Sequence, residues 1–147
     1  MDKTTSDLEK PMVILLADDD EDDVFIFQEV LSENETPSNL VVASDGVEVI
    51  DILTEEQFHD IVFLDINMPR MNGFECLQEI RQLPNTGHIP FVFLSTLQTD
   101  ELIEQAKKLG AAGYIKKPIS YYKFKETITE VLSEDFSSIG RTKFYVA

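Results

Sequence analysis

Short apolar runs alternate along this chain with segments whose apolar residues recur three or four positions apart. The apolar runs occupy residues 12–17, 40–43, 61–64, 91–94 and 114–115. Continuous runs of this length are typical of strands that are covered on both faces of a sheet. The pattern therefore predicts five buried strands, each followed by a longer segment of different periodicity.

The segments that follow these runs have the spacing of amphipathic helices, whose apolar stripe lies along a sheet. Their stripes begin at Val24, Val47, Phe74, Leu102 and Phe124. Asp100 is predicted to cap the fourth helix, and Gly110 follows that helix where a left-handed residue often ends one. Alternating strands and helices predict an α/β fold, with an open, doubly wound parallel sheet of five strands and helices on both faces.

The charge of the chain is large and unevenly placed. Its 147 residues include 28 acidic and 12 basic side chains, which leaves a formal charge of -16. The stretch between Pro11 and Pro69 contains no Lys or Arg at all. Such an excess of negative charge argues against anionic partners, so we expect no nucleic acid and no membrane surface to bind. Basic or metal-bearing partners fit the charge better.

Length and composition predict one folded domain at residues 11–133, between a polar leader at 1–10 and a C-terminal tail at 134–147. The aromatic residues of the tail leave open whether it docks on the domain or stays disordered. The lone Cys76 excludes an intramolecular disulfide, and no apolar run approaches the roughly 20 residues that span a bilayer. A cytoplasmic protein is expected.

Polar residues with complementary chemistry follow four of the predicted strands. The first strand is followed by Asp18, Asp19 and Asp20, the third ends in Asp65, the fourth ends in Ser95, and the fifth precedes Lys116 and Lys117. In a parallel sheet the carboxyl ends of the strands lie at one edge, which is where open α/β sheets bind ligands. The sequence therefore predicts that carboxylates, a hydroxyl and an amine meet at this edge.

Clustered carboxylates at such an edge require either a cation or raised pKa values. Two carboxylates 4 Å apart repel by about 4 kcal/mol at an effective dielectric near 20. Hard oxygen ligands on a shared site suit Mg2+, which keeps several waters and takes part of its shell from a phosphate. A nearby lysine adds a positive charge for anionic oxygen, so the set indicates phosphoryl transfer. With an aspartate as the nucleophile, the product would be an acyl phosphate.

These motifs, in this order, resemble the receiver domain of bacterial two-component response regulators. The resemblance is carried by LLADDDEDD at the first strand, VFLDINMPRMNGFECL around the third, PFVFLST at the fourth and GAAGYIKKP at the fifth. It extends over about residues 13–132, nearly the whole predicted domain. The resemblance implies a flavodoxin-like sheet with strand order 2-1-3-4-5.

The resemblance also implies a role for particular residues, each of which stands where the family's motif has its counterpart. Asp65 resembles the phosphoacceptor, and Asp18 and Asp19 resemble the acidic pair that positions Mg2+. The backbone carbonyl of Asn67 would complete the protein ligands of the metal, for which Asp65 supplies a further carboxylate oxygen.

Three residues from the fourth and fifth strands resemble the family's phosphoryl-contacting and switch positions. Ser95 matches the hydroxyl that binds a phosphoryl oxygen, and Lys117 matches the lysine that contacts it. Tyr114 matches the aromatic switch residue that moves together with Ser95. Lys116 is expected to point outward because neighbouring strand residues alternate between faces.

The function that the resemblance implies is a signalling switch and not an enzyme. A sensor histidine kinase or a histidine phosphotransfer protein would phosphorylate Asp65, and the face formed by the fourth helix, fifth strand and fifth helix would change its affinity for an unknown downstream protein. The same residues would also suit an intermediate of a phosphorelay. Whether a second copy of the chain is a partner, in a homodimer, is left open.

Two rival interpretations place different chemistry on the same acidic run. Asp18, Asp20, Asp22 and Glu29 have the spacing of an EF-hand Ca2+ loop, although the run follows a strand and lacks the central Gly. Asp18 and Asp20 also mimic the first motif of haloacid-dehalogenase phosphatases. Glu21, Asp22 and Asp23 are expected to be solvated at a helix N-terminus, where negative charge is favoured, and the role of Asp20 is left open.

Overall fold

Strands and helices alternate along the chain in the predicted order. The computed structural model describes residues 11–55, 59–84, 86–117, 121–133 and 144–147, so the predicted leader and residues 134–143 of the predicted tail lie outside the described residues. The elements are β1 (Met12–Ala17), α1 (Glu21–Ser32), β2 (Ser38–Ala43), α2 (Gly46–Glu55), β3 (Ile61–Asp65), α3 (Gly73–Ile80), β4 (Phe91–Ser95), α4 (Asp100–Lys108), β5 (Gly113–Lys116), α5 (Tyr121–Leu132) and β6 (Tyr145–Val146).

All neighbouring strands of the sheet run parallel, in the order β2-β1-β3-β4-β5-β6. Leu16 lies between Val42 on one side and Phe63 on the other. The predicted doubly wound sheet and its 2-1-3-4-5 order are therefore confirmed, with a sixth short strand added at the β5 edge. Because every pair is parallel, the ends of β1, β3, β4 and β5 that carry the predicted site residues lie at one edge.

The core consists of two layers, one on each face of the sheet. Alternate residues of β3 divide between them, since Val62 and Leu64 pack with α2, α3 and α4, whereas Ile61 and Phe63 pack with α1 and α5. All five residues of β3 and of β4 are buried, as the continuous apolar runs predict. Phe27 of α1 contacts Phe63 edge to face at 5.0 Å between ring centroids. The helices on both faces are thus confirmed.

The helix ends agree with the sequence pattern at Gly110 and differ from it at Asp100. Gly110 follows α4 with φ +83, the left-handed conformation that glycine adopts at little cost. The cap of α4 is Thr99, whose hydroxyl accepts from the amide of Leu102 at 3.1 Å. The prediction that Asp100 caps this helix is wrong by one residue, because the hydroxyl before it satisfies the free amide. Asp100 lies in the first turn, where its charge still favours the helix dipole.

Residues 144–147 of the predicted tail lie along the outer edge of β5. The amide of Tyr145 donates to the Ala112 carbonyl at 2.9 Å, and the amide of Ala147 donates to the Tyr114 carbonyl at 3.1 Å. A Cβ at Gly113 would lie 2.7 Å from the Tyr145 carbonyl oxygen, so glycine allows this close approach. Within the part of the chain that the structure describes, every helix is too short or too polar to cross a bilayer.

Gly73 sets how closely α3 approaches the end of β3, and its substitution should disturb that contact. A Cβ there would lie 2.7 Å from the carbonyl oxygen of Asp65, a backbone atom that cannot move without shifting the strand end. We expect Gly73→Ala to lower the free energy of unfolding by about 1–3 kcal/mol in urea denaturation. Gly87→Ala is the matched control, since a Cβ at Gly87 meets nothing within 4 Å. Equal stability of both variants would contradict the expectation.

Candidate functional site

Three carboxylates lie together at the carboxyl edge of the sheet. Asp18 directly follows β1, Asp19 comes next, and Asp65 is the last residue of β3. One carboxylate oxygen from each lies within 4.8 Å of the other two. Asp18 and Asp65 are buried, whereas Asp19 is exposed and leaves the cluster open to solvent. The structure therefore brings together the three carboxylates that the sequence assigns to a metal site.

The ammonium of Lys117 lies against this cluster and is shared among three carboxylates. Its Nζ is 2.7 Å from Oδ2 of Asp23, 3.0 Å from Oδ2 of Asp18 and 3.3 Å from Oδ2 of Asp65. The expectation that Asp23 is a solvated helix residue is wrong, because it makes the shortest of these contacts. The missed signal is its position one helical turn before Phe27, which packs on Phe63 of β3, so Asp23 lies on the sheet-facing side of α1.

Burial raises the pKa of both inner carboxyl groups. For Asp65 the pKa rises to about 6, because burial and the charge of Asp18 together outweigh the attraction of Lys117. Burial also raises the pKa of Asp18, although the Asp20 amide and Lys117 favour its charged form. Burial alone would lower the pKa of Lys117, but its contacts with Asp23, Asp18 and Asp65 raise it above the usual range. The site therefore holds a charged lysine and an excess of carboxylate.

Asp20 and Asn67 flank the cluster through backbone contacts. The Asp20 amide donates to Oδ1 of Asp18 at 3.0 Å, and the Asp20 carboxylate caps α1 by accepting from the Asp22 amide at 2.9 Å. The Asn67 amide donates to Oδ1 of Asp65 at 3.2 Å. The role left open for Asp20 is thus that of a helix cap. Because β1 precedes the acidic run and α1 begins at Glu21, the helix–loop–helix of an EF-hand does not form here.

The chemistry of these donors fits a small hard cation. Mg2+ is bound in proteins through one or two carboxylates together with water and substrate oxygen. Asp18, Asp19 and Asp65 supply carboxylate oxygens at one place, and their charge exceeds what one lysine can balance. The residues present therefore fit the metal that the sequence predicts.

Ser95 and Tyr114 are linked through the backbone of Leu97. Ser95 is buried at the end of β4, and its Oγ accepts from the Leu97 amide at 3.1 Å. Tyr114 is fully buried on β5, and its hydroxyl donates to the Leu97 carbonyl at 2.5 Å. Lys116 is exposed whereas its neighbour Lys117 lies against the carboxylates, as alternation between neighbouring strand residues predicts. The two proposed switch residues are therefore connected in this structure by one intervening residue.

An ion pair that sequence reasoning missed holds the loop after β3. Arg70 donates from Nη2 to Oδ2 of Asp45 at 2.6 Å, and its backbone has φ +68, which is uncommon for a residue with a side chain. The amide of Glu48, and next Arg70, keep the pKa of Asp45 below its ordinary value. The signal was an acid at the end of β2, at the same edge of the sheet as Asp65. This pair fixes the loop that carries Asn67.

Fold and site together define a class: a flavodoxin-like α/β domain with an acidic, lysine-containing cluster at the carboxyl edge of its sheet. The family described as "Response regulator receiver domain" matches residues 14–129. The chain belongs to this family, for which phosphorylation and Mg2+ binding are typical.

Individual relatives agree with this assignment. The chemotaxis protein CheY of Halobacterium salinarum is 32% identical over 120 residues, which cover 82% of this chain and 96% of that protein. A crystal structure of the Mn2+-bound form of response regulator Rcp1 has 27% identity and a TM-score of 0.74, covering 84% of this chain and 93% of that one. A CheX–CheY–BeF3–Mg complex from Borrelia burgdorferi has 28% identity and a TM-score of 0.70, covering 84% and 91%.

Other relatives are much longer than this chain. A probable cyclic di-GMP phosphodiesterase of Vibrio cholerae is 34% identical over 107 residues, which make up 73% of this chain and 23% of that protein. The sensory/regulatory protein RpfC of Xanthomonas campestris is 32% identical over 125 residues, which make up 17% of that protein. These matches therefore cover less than a quarter of each of these two proteins.

The raised pKa of Asp65 predicts that metal binding depends on pH. With a pKa of about 6, a proton competes with Mg2+ for Asp65 at pH 5, whereas at pH 8 the carboxylate is free to bind. We expect Mg2+ affinity, measured by calorimetry, to fall about tenfold from pH 8 to pH 5. The Asp65→Asn variant should bind more weakly and depend less on pH. Affinity that is flat over this range in the unmodified protein would contradict the assignment of Asp65 to the metal site.

Proposed function

We propose that this domain is a phosphorylation-operated signalling switch whose phosphoacceptor is Asp65. The observation that supports the proposal is the set of charged groups around this buried carboxylate. Asp18 and Asp19 lie within 4.8 Å of it, and the Lys117 ammonium lies 3.3 Å from its Oδ2. The donor would be a phosphohistidine on a sensor histidine kinase or on a histidine phosphotransfer protein, as the family membership supports.

In the proposed reaction an oxygen of the Asp65 carboxylate attacks the phosphorus atom in line with the bond to the donor imidazole. The new O–P bond forms as the N–P bond breaks, and the electron pair of that bond returns to the imidazole nitrogen, which takes a proton from solvent. The Lys117 ammonium and the Ser95 hydroxyl bind the transferred phosphoryl oxygens. Mg2+, held by Asp18, Asp19, Asp65 and the carbonyl of Asn67, would supply positive charge against those oxygens when bound.

The present hydrogen bonds of the Ser95 hydroxyl are compatible with its binding a phosphoryl oxygen. Its oxygen accepts from the Leu97 amide and its side chain also hydrogen-bonds with Tyr114, so donation of its hydroxyl proton to a phosphoryl oxygen would exchange one hydrogen bond for another. The phosphoryl group adds a charge of about -1.5 to -2 at this point of the sheet edge. Rotation of Ser95 toward that charge would weaken its contact with Leu97, whose carbonyl holds the Tyr114 hydroxyl. This is the proposed start of the switch.

The surface that would respond is the face of α4, β5 and α5, where a downstream protein would bind more or less tightly. In this chain the face includes β6, which pairs with Tyr114 of β5. A phosphorelay intermediate would begin with the same transfer onto Asp65 and then pass the phosphoryl group onward. A second copy of the chain is one partner that the same face could take.

The phosphoacceptor can be tested with a small-molecule donor. Incubation with acetyl phosphate and Mg2+ should raise the intact mass by one phosphoryl group, because Asp65 is the nucleophile and the donor needs no kinase. Asp65→Asn should abolish the increase, whereas Asp51→Asn, an exposed acid on α2, should leave it unchanged. Equal labelling of Asp65→Asn would refute the assignment. Rapid multiple turnover of unrelated phosphate esters would favour the phosphatase interpretation of the same residues.

The proposed switch can be tested separately by amide resonances. Saturation with Mg2+ and beryllofluoride, a non-covalent stand-in for the phosphoryl group, should shift the resonances of Ser95, Leu97 and Tyr114, because the hydrogen bonds that join them rearrange. Amides of β2, at the far edge of the sheet, serve as the internal control. If residues 95–97 and 113–116 kept their resonances while the ligand was bound, the switching proposal would fail.

A further inference from the structure

The contact between Lys117 and Asp23 joins the site lysine to a residue that is not among those to which the resemblance assigns a role. Asp23 belongs to α1 and not to a strand end, and it lies outside the group of carboxylates whose oxygens approach within 4.8 Å of one another. It nevertheless makes the shortest contact of the Lys117 ammonium, at 2.7 Å. A residue with this placement can act on the lysine without being a ligand of the metal.

The three carboxylates that contact Lys117 differ in the other groups with which they can interact. Asp18 and Asp65 belong to the cluster that fits Mg2+, so a bound cation would withdraw their charge from the lysine. Asp23 stays available as a counter-charge whatever occupies the metal site. Apolar side chains of Phe27, Leu94 and Phe124 line the pocket beside the Lys117 and Asp23 pair, which reduces the screening of their attraction by water.

Asp23 is also the carboxylate that can release the lysine at the smallest cost. Its side chain is 24% exposed, against 1% for Asp18 and 7% for Asp65. A partly exposed carboxylate at the first turn of a helix remains solvated and favoured by the helix dipole after its partner leaves. The two buried carboxylates would be left unpaired in a poorly hydrated place.

We propose that Asp23 is a positioning residue that holds the Lys117 ammonium while Asp65 is unphosphorylated and competes for it with the phosphoryl group. The inference rests on the proposed function, since it concerns the same lysine and the same transferred group. Asp23 thereby sets the balance between the two states of the site. The Asp23 charge favours the unphosphorylated form, in which Asp18 and Asp65 can bind a metal. It opposes the form in which Lys117 contacts a phosphoryl oxygen.

The proposal predicts opposite changes in two affinities on removal of the Asp23 charge. In Asp23→Asn, Lys117 should turn to Asp18 and Asp65, and the affinity for Mg2+ alone should fall about threefold to fivefold, the range of a partly exposed ion pair. At saturating Mg2+, the affinity for beryllofluoride should rise by a similar factor, because its competitor for Lys117 is weakened. Both constants can be measured by calorimetry on the full chain.

Asp22→Asn is the matched control because it removes the same charge from the same helical turn. Asp22 is exposed and forms no ion pair with any residue that the structure describes. It should therefore change both affinities by less than the Asp23 substitution does. A helix-stabilising role of Asp23 would lower both affinities together with the unfolding midpoint, and that result would overturn the proposal.

The outcomes distinguish this inference from the proposed function. If the unmodified protein binds neither Mg2+ nor beryllofluoride, the proposed function fails and the inference fails with it. If the unmodified protein binds both, and Asp23→Asn behaves like Asp22→Asn, only the inference is overturned. Opposite shifts of the two affinities in Asp23→Asn, absent from Asp22→Asn, would support it.

Discussion

One ammonium group partly offsets the repulsion between the carboxylates that the parallel sheet forces together. Parallel pairing brings the ends of β1 and β3 side by side, so Asp18 and Asp65 cannot separate without breaking the sheet. Their repulsion is offset by Lys117, which arrives from the end of β5 on the other side of β4. Because one positive charge does not neutralise the cluster, a second cation at this edge of the sheet would reduce the remaining repulsion.

The loops around this edge are held in place by contacts whose residues do not themselves take part in the proposed reaction. Gly73 brings α3 against the Asp65 backbone, and its amide donates to the Ile66 carbonyl at 2.9 Å. Arg70 ties the same loop to Asp45 at the end of β2. These two contacts fix the loop from both ends, so the Asn67 amide keeps its place at the Asp65 carboxylate. The positive φ of Arg70 is the local strain that this arrangement accepts.

Most of the fold follows from the sequence because β-strands buried on both faces have an unambiguous apolar pattern. The runs at residues 61–64 and 91–94 became central strands, and the residues after them lie at the predicted edge. The sequence did not reveal contacts whose partners are far apart in the chain. Asp23 and Lys117 are 94 residues apart, and Arg70 and Asp45 are 25 apart, so their pairing depends on tertiary placement alone. At Thr99, a one-residue difference in capping lay below what the pattern resolves.

The sequence pattern also did not predict β6, because its two residues are too few to show a periodicity. Residues 145 and 147 hydrogen-bond with the backbone of Ala112, Tyr114 and Lys116, and Gln98 also donates to the Ala147 carbonyl at 3.0 Å. Tyr114 therefore belongs to two networks at once, because its hydroxyl donates to the Leu97 carbonyl and its backbone carbonyl accepts from the Ala147 amide. A shift of Leu97 that altered the Tyr114 side chain would act on a strand whose outer edge is already paired. The backbone edge of β5 is therefore occupied by the chain itself, and the surface beside β5 consists of β6.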